Sequence, residues 1–437
     1  MFKHPSTTLL SRFGRGRLSR RKRREVVRHL LTDCDDCRQV TAGLGSGADY
    51  SPAFQSALAE VERMEAVLRA EREAADERLR ELLAQPFDRQ QAMVTSVTRR
   101  YLTWPFCELL LETAREWGFQ DPGRALELTQ LGVEIASRLD PAAYGGPRVH
   151  DLEARAWAAL GNAQRIRSDF REAEKSFQRA ERLLKLGTGD PVEKAQVLLL
   201  KASLRGNQQR FPEALRLVDR VVAIGRRCAD PQLQGRALIM RGLLFGLAND
   251  PEPAIRHLTE GLQKVDGITD PRLVVAAQHN LTLYLAESGR YVEALRLLES
   301  ARPLYHQIGD QMSLLRLRWL EGKIASALGH FTEAEELLRG VHRELIEREL
   351  GFDAALLSLD LATIYARQGR GAEMRRLAEE MLPIFKSRDI HREAIAALFV
   401  FQKAAEMERV TLGLIRDVSG YLKDSRASWI TRSHDSR

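Results

Sequence analysis

Four residues near the N-terminus have the types and spacing to hold a metal ion: His4, His29, Cys34 and Cys37, in the order H-x24-H-x4-C-x2-C. Two cysteines two residues apart reach one ion, a histidine at the end of a preceding helix supplies a third ligand, and His4 completes a tetrahedral N2S2 set. With no vacant position, zinc in such a set is structural, and it stabilises a stretch too small to bury a useful core. The alternative is a redox or incidental CxxC at Cys34 and Cys37, although a thioredoxin-like site wants a strand-to-helix setting that is absent here. Cys107 and Cys228 are isolated in helical segments and are expected in the core. This cysteine usage fits a reduced compartment.

The elements that must position these ligands are a short helix over residues 5–13, a turn at Gly14 and Gly16, and a second helix capped by Ser19 and running to His29 and Leu31. Leu18, Val26, Val27, Leu30 and Leu31 give the second helix a small apolar side. It also carries Arg20, Arg21, Lys22, Arg23, Arg24 and Arg28. Residues 1–40 hold eleven Lys and Arg against four Asp and Glu, a surplus equal to the +7 of the whole chain. Clustered positive charge suits nucleic-acid phosphate, without sequence specificity. It equally suits a solvated face or an acidic partner protein, and the lack of interleaved aromatics favours these. On these residues the module resembles the zinc-binding anti-sigma module, in which a distal His or Cys joins H-x3-C-x2-C across a helical hairpin. The His-to-Cys gap here is one residue longer. The resemblance implies contact with a transcription factor.

Beyond this module the chain is periodic. Asp190, Asp230, Asp270 and Asp310 stand 40 apart, and the first three precede Pro191, Pro231 and Pro271. A second set recurs in phase: Phe170, Glu172, Ala173; Phe211, Glu213, Ala214; Tyr291, Glu293, Ala294; Phe331, Glu333, Ala334. Pro251, Pro253, Ala254 and Gly371, Glu373, Met374 are degenerate copies. Asp before Pro is a helix-start signal, because the carboxylate caps free amides and the ring pre-sets the first helical dihedral. Helix A of each unit therefore starts near these aspartates. Twelve residues before each Ala sits a small residue, Gly161, Ala202, Gly242, Gly322 or Ala362, with Thr282 the exception. There helix A must approach helix B closely. Ala294, Leu297, Leu298 and Ala301 show the apolar stripe of a helix B.

Trp157, Leu160, Gly161, Phe170, Ala173, Phe177 and Ala180 resemble the tetratricopeptide pattern W-x2-L-G, then A-x3-F and a small residue. Six units cover about residues 150–390, with a weaker seventh around Ala125. The departures are a unit of 40 rather than 34 residues and frequent loss of the Trp and first Leu. The resemblance implies an all-α, right-handed helical-hairpin solenoid of about six to seven repeats, similar to long-repeat forms in bacterial regulators and adaptors. It also implies that A helices line a concave groove. Register then places Arg155, Asn162, Arg165, Arg236, His279, Arg316, Trp319 and Lys323 in that groove. Five of the eight are cationic, which would suit an acidic or carboxylate-bearing peptide anchored by Trp319. Arg and Lys are also simply common on helix surfaces.

The expected organisation is a zinc-binding helical module at 1–40, a Gly-rich linker at 41–53, connecting helices at 54–121, the solenoid at 122–400, and a C-terminal capping helix with tail at 401–437. Residues 141–147 read as an insertion. No apolar stretch approaches a membrane span, and Leu9 and Leu10 are followed at once by Arg12, Arg15 and Arg17, unlike a secretory signal. A cytoplasmic protein is expected. There is no Gly-rich phosphate loop after a strand and no Ser or Cys in a nucleophile motif. The expectation is a non-catalytic interaction scaffold or regulatory adaptor, with a nucleic-acid-binding regulator as the alternative.

Overall fold

The computed structural model describes residues 5–14, 17–19, 22, 26, 29, 37, 40, 51–96, 98–118, 121–268, 270–348, 350–380, 401–405 and 409–432. The chain divides into two compact units, residues 1–74 and 75–437.

In the first unit, helix α1 (Thr7–Gly14) starts after Ser6, whose hydroxyl accepts from the Leu9 N–H at 3.3 Å. Leu10, Leu18, Val26 and Cys37 are buried together, with Leu9, Phe13 and Val40 packed against them. Helix α2 (Ser51–Leu83) begins within the 41–53 stretch that reads as linker, and its last nine residues, 75–83, belong to the second unit. Pro52 suits its first turn, where a missing N–H costs nothing.

In the second unit, α3 (Phe87–Thr95) precedes a run of helical hairpins. The first pairs α4 (Trp104–Trp117) with α5 (Pro122–Ser137), so the array draws its first A helix from the 54–121 segment. A one-turn helix α6 (Pro141–Tyr144) occupies the insertion. Then follow α7 (Gly146–Ile166) with α8 (Phe170–Leu186), α9 (Pro191–Asn207) with α10 (Phe211–Arg227), and α11 (Pro231–Leu247) with α12 (Pro251–Leu262). The last three are α13 (Pro271–Glu287) with α14 (Tyr291–Ile308), α15 (Gln311–Leu328) with α16 (Phe331–Glu347), and α17 (Gly351–Gln368) with α18 (Gly371–Glu380). Each B helix also packs on the next A helix. The fold is an all-α, right-handed helical-hairpin solenoid.

The periodic residues mark its joints. The Asp190, Asp230, Asp270 and Asp310 carboxylates accept from the N–H of Val192, Leu233, Leu273 and Ser313 at 2.8, 2.9, 3.3 and 2.8 Å, starting four successive A helices. Phe170, Phe211, Pro251, Tyr291, Phe331 and Gly371 are each the first residue of a B helix. At the seam, a Cβ on Gly161, Gly242 or Gly322 would lie 3.1, 2.7 or 2.7 Å from Phe177, Leu258 or Leu338. The carbonyls of Ala173, Ala254 and Ala334, the landmark twelve residues on, stand beside the same glycines. Thr282 fits by turning its hydroxyl back onto the Gln278 carbonyl at 2.8 Å, and is buried.

A third periodic set lies in the turns. Gln209, Asn249, Gly289, Gly329 and Gly369, 40 apart, all have positive φ between helix A and helix B, with Ser168 in the same role. Gly189, Ala229 and Gly309 do the same between helix B and the next helix A. Of the two isolated cysteines, Cys107 is in the core, whereas Cys228 is exposed, because it caps α10 one residue beyond its last turn.

Helix α19 (Leu412–Arg432) packs on α17, burying Ile415, Val418 and Leu422 in the cluster that holds Leu357, Leu361 and Leu377. Among the described residues, no helix is long and apolar enough to cross a membrane.

Candidate functional site

Register places the A-helix residues at positions one helical turn apart, on the side that also meets neighbouring A helices. Arg155 on α7 lies between α4 and α9, 3.0 Å from Glu108 and 3.2 Å from Glu193, with its guanidinium 5.8 Å from the Trp104 ring centroid. Burial raises the Glu193 carboxyl, and Arg155 opposes that shift. Arg165 donates to Asn162 Oδ1 at 3.0 Å and, across to α9, to Asn207 Oδ1 at 2.6 Å. Burial without a carboxylate brings its guanidinium down to about 10. Arg236 on α11 meets Asp270, the cap of α13, at 3.1 Å. These four residues therefore tie one A helix to the next or brace such a tie.

The other four come together. His279, Arg316, Trp319 and Lys323 line one cleft of about 300 Å3, bounded by α13, α15, α17 and α19. Leu283, Met312, Leu320 and Leu356 make its apolar lining, and Ser419 of α19 closes one side. Trp319 Nε1 donates to Asp360 Oδ2 on α17 at 2.7 Å, and Lys323 Nζ lies 3.4 Å from Asp360 Oδ1. His279 Nδ1 shares a hydrogen bond of 3.1 Å with the Tyr305 hydroxyl of α14. Desolvation, reinforced by Arg316, pushes its imidazole from 6.5 down to about 4. His279 is therefore neutral near pH 7 and adds hydrogen-bonding capacity without charge.

The face is less positive than its sequence suggests. Arg155, Arg236 and Lys323 each have a carboxylate partner, and Arg165 is held by two amides. Arg316 is exposed and makes no ion pair among the described residues. Asp360, Glu287 and Asp353 also line the cleft, so it carries both signs.

Register alone would have found more of this lining. Leu356 follows Arg316 by 40 residues, and Leu283 precedes Lys323 by 40. Ser419 lies outside the period, so no spacing points to it. Of the N-terminal set, His29 is half-buried and Cys37 is buried in the small apolar cluster, while His4 and Cys34 lie outside the described residues. Of the basic run, Lys22 is exposed, and Arg20, Arg21, Arg23, Arg24 and Arg28 lie outside them.

Hairpin geometry, seam and repeated caps define a tetratricopeptide-like helical-repeat protein. Among solved structures, the chain is similar to a signal-transduction ATPase of the STAND type with a tetratricopeptide repeat sensor, from Pyrococcus horikoshii. The TM-score is 0.53 at 13% identity, over 99% of this chain and 64% of that one. It is also similar to the apo form of the quorum sensor NprR from B. thuringiensis, with a TM-score of 0.50 at 13% identity, over 75% of this chain and 88% of that one. At such identities the likeness is one of fold. No protein-family model matches the sequence, and no curated protein matches it.

Proposed function

We propose that this chain is a non-catalytic regulatory adaptor whose A-helix face binds a protein or peptide partner. The observation that carries this reading is the convergence of His279, Arg316, Trp319 and Lys323 on a single cleft with an apolar lining and a few polar groups, the usual composition of a recognition site. Of two proteins of similar fold, one is named a quorum sensor and the other a signal-transduction ATPase with a tetratricopeptide repeat sensor, which supports a sensing role by analogy of fold. The test is affinity selection of soluble peptides by the full-length chain and by Leu356→Trp, which fills the cleft. Peptides retained by the parent and lost from the variant support the reading. Retention that is indifferent to the filling residue, or no retention at all, overturns it.

The N-terminal module is a second locus. Zinc held by His4, His29, Cys34 and Cys37 would tie its ends together, and the burial of Cys37 among Leu10, Leu18 and Val26 suits a ligand with an apolar shell. Such a module would contact a transcription factor. Metal analysis of the purified chain should then give about one equivalent of zinc, lost in the double variant Cys34→Ser, Cys37→Ser; a metal-free parent removes the module. The concentration of the chain's surplus charge in residues 1–40 favours a nucleic-acid contact as the second reading. It requires binding that weakens steeply with salt and disappears when Arg20, Arg21, Lys22, Arg23 and Arg24 are neutralised.

A further inference from the structure

The cleft has neighbours on both sides. A small cavity of about 100 Å3 shares His279, Met312 and Arg316 with it, and includes Arg272 and Asp310. Another of about 220 Å3 shares Leu283, Glu287, Lys323 and Asp360, and extends to Ala286 and Arg367. The three form one trough along the axes of α13 and α15. From Arg272 to Ala286 a helix rises about 21 Å, at 1.5 Å per residue. An extended chain covers that distance in about six residues.

The trough is electrically asymmetric. At one end Arg272 lies 3.6 Å from Asp310, whose carboxylate also caps α15, and beside them Arg316 offers five N–H donors with no ion-pair partner among the described residues. At the other end Lys323 is matched by Asp360, and Glu287 stands with Arg367, which donates to the Ser326 carbonyl at 3.1 Å, so two cations meet two carboxylates there. Between the ends the wall is Leu283, Leu320 and Leu356 with Trp319. An occupant that completes these contacts is linear, anionic where it meets Arg316, and apolar next to that group. Guanidinium pairs with carboxylate through two parallel hydrogen bonds, which sets position as well as affinity.

We propose that the trough takes a short linear peptide of about six residues, with a carboxylate on Arg316 and the adjoining apolar side chain among Leu283, Leu320 and Leu356. The inference rests on the peptide-binding reading above and deepens it. The carboxylate comes either from the peptide's own C-terminus or from an Asp or Glu side chain, and the probes separate the two.

The experiment offers the full-length chain two random hexapeptide mixtures, one with free carboxyl termini and one C-terminally amidated, and reads retained sequences by mass spectrometry. The parent, Arg316→Gln and Arg316→Lys are compared; Arg316 is exposed, so an unchanged melting curve should accompany both substitutions. The expected result is retention that falls about tenfold or more in Arg316→Gln, the scale of one lost charge-assisted contact, and less in Arg316→Lys. Retention confined to the free-acid mixture assigns the terminal carboxylate. Retention of Asp- or Glu-containing peptides from both mixtures assigns the side chain. Peptides that bind, are lost from Leu356→Trp, and are indifferent to both carboxylate and Arg316 overturn this inference while leaving the groove reading intact. No retention of any peptide overturns both.

Discussion

His279 shows how far one environment moves one residue. Its imidazole is hydrogen-bonded to the Tyr305 hydroxyl, and burial, reinforced by the positive charge of Arg316, holds it neutral down to about pH 4. An unfolded chain takes up a proton near 6.5, before the folded one, so the residue leaves stability unaffected above that pH and erodes it as pH falls toward 4. The slope is at most about 1.4 kcal/mol per pH unit for one proton. His279→Asn, which does not titrate, should flatten the parent's stability loss between pH 6.5 and 4 in denaturant melts. An identical slope in the two proteins contradicts the assignment. Register alone puts His279 on the A-helix face, where it lines the cleft. Its neutrality is not legible in sequence, because that depends on Tyr305, which approaches from a different helix.

At the scale of elements, the turns are more informative than the helices. Sequence periodicity marked the start of four A helices, at Asp190, Asp230, Asp270 and Asp310, since capping demands a particular residue type there, whereas only the structure shows that the recurring aromatic is the first residue of a B helix. The left-handed residues were harder to read, because Gly289, Gly329 and Gly369 share their register with Gln209 and Asn249. A Cβ in that conformation costs about 1 kcal/mol relative to glycine. Ala229, with φ of 52° between α10 and α11, should therefore gain stability of that order as Ala229→Gly, partly offset by greater freedom of the unfolded chain. Gly289→Ala, at φ of 75°, should lose a similar amount. Paired thermal melts check both signs, and a loss in Ala229→Gly contradicts the turn assignment.

The whole molecule is governed by nearest-neighbour contacts. Each hairpin buries its seam and the next A helix, so stability accumulates unit by unit. The balance of charge over residues 41–437, equal numbers of Lys plus Arg and Asp plus Glu, was plain from composition. Its consequence was not, because the partners lie far apart in sequence: Arg236 finds Asp270, and Arg155 finds Glu108 and Glu193. Combining the 40-residue period with helix geometry would have suggested such pairs, since one unit's A helix lies beside the next. The C-terminal helix is different. A capping helix after residue 400 is expected from the sequence, but the part that Ser419 takes in the cleft lies outside the period and has no signal there.

Those lateral ties also make the array a spring whose stiffness depends on the solvent. The links between successive A helices include half-buried ion pairs that still reach solvent, such as Arg155 with Glu193 and Lys323 with Asp360, whereas B helices grip their neighbours through buried leucines and alanines. Added salt screens the first kind of link and spares the second. One side of the coil should therefore slacken while the other holds, letting it change pitch without unfolding. Small-angle scattering of the full-length chain should show dimensions that shift between about 0.05 and 0.5 M salt, where Debye screening tightens several-fold, with helicity unchanged. Constant dimensions would mean that apolar packing alone sets the pitch.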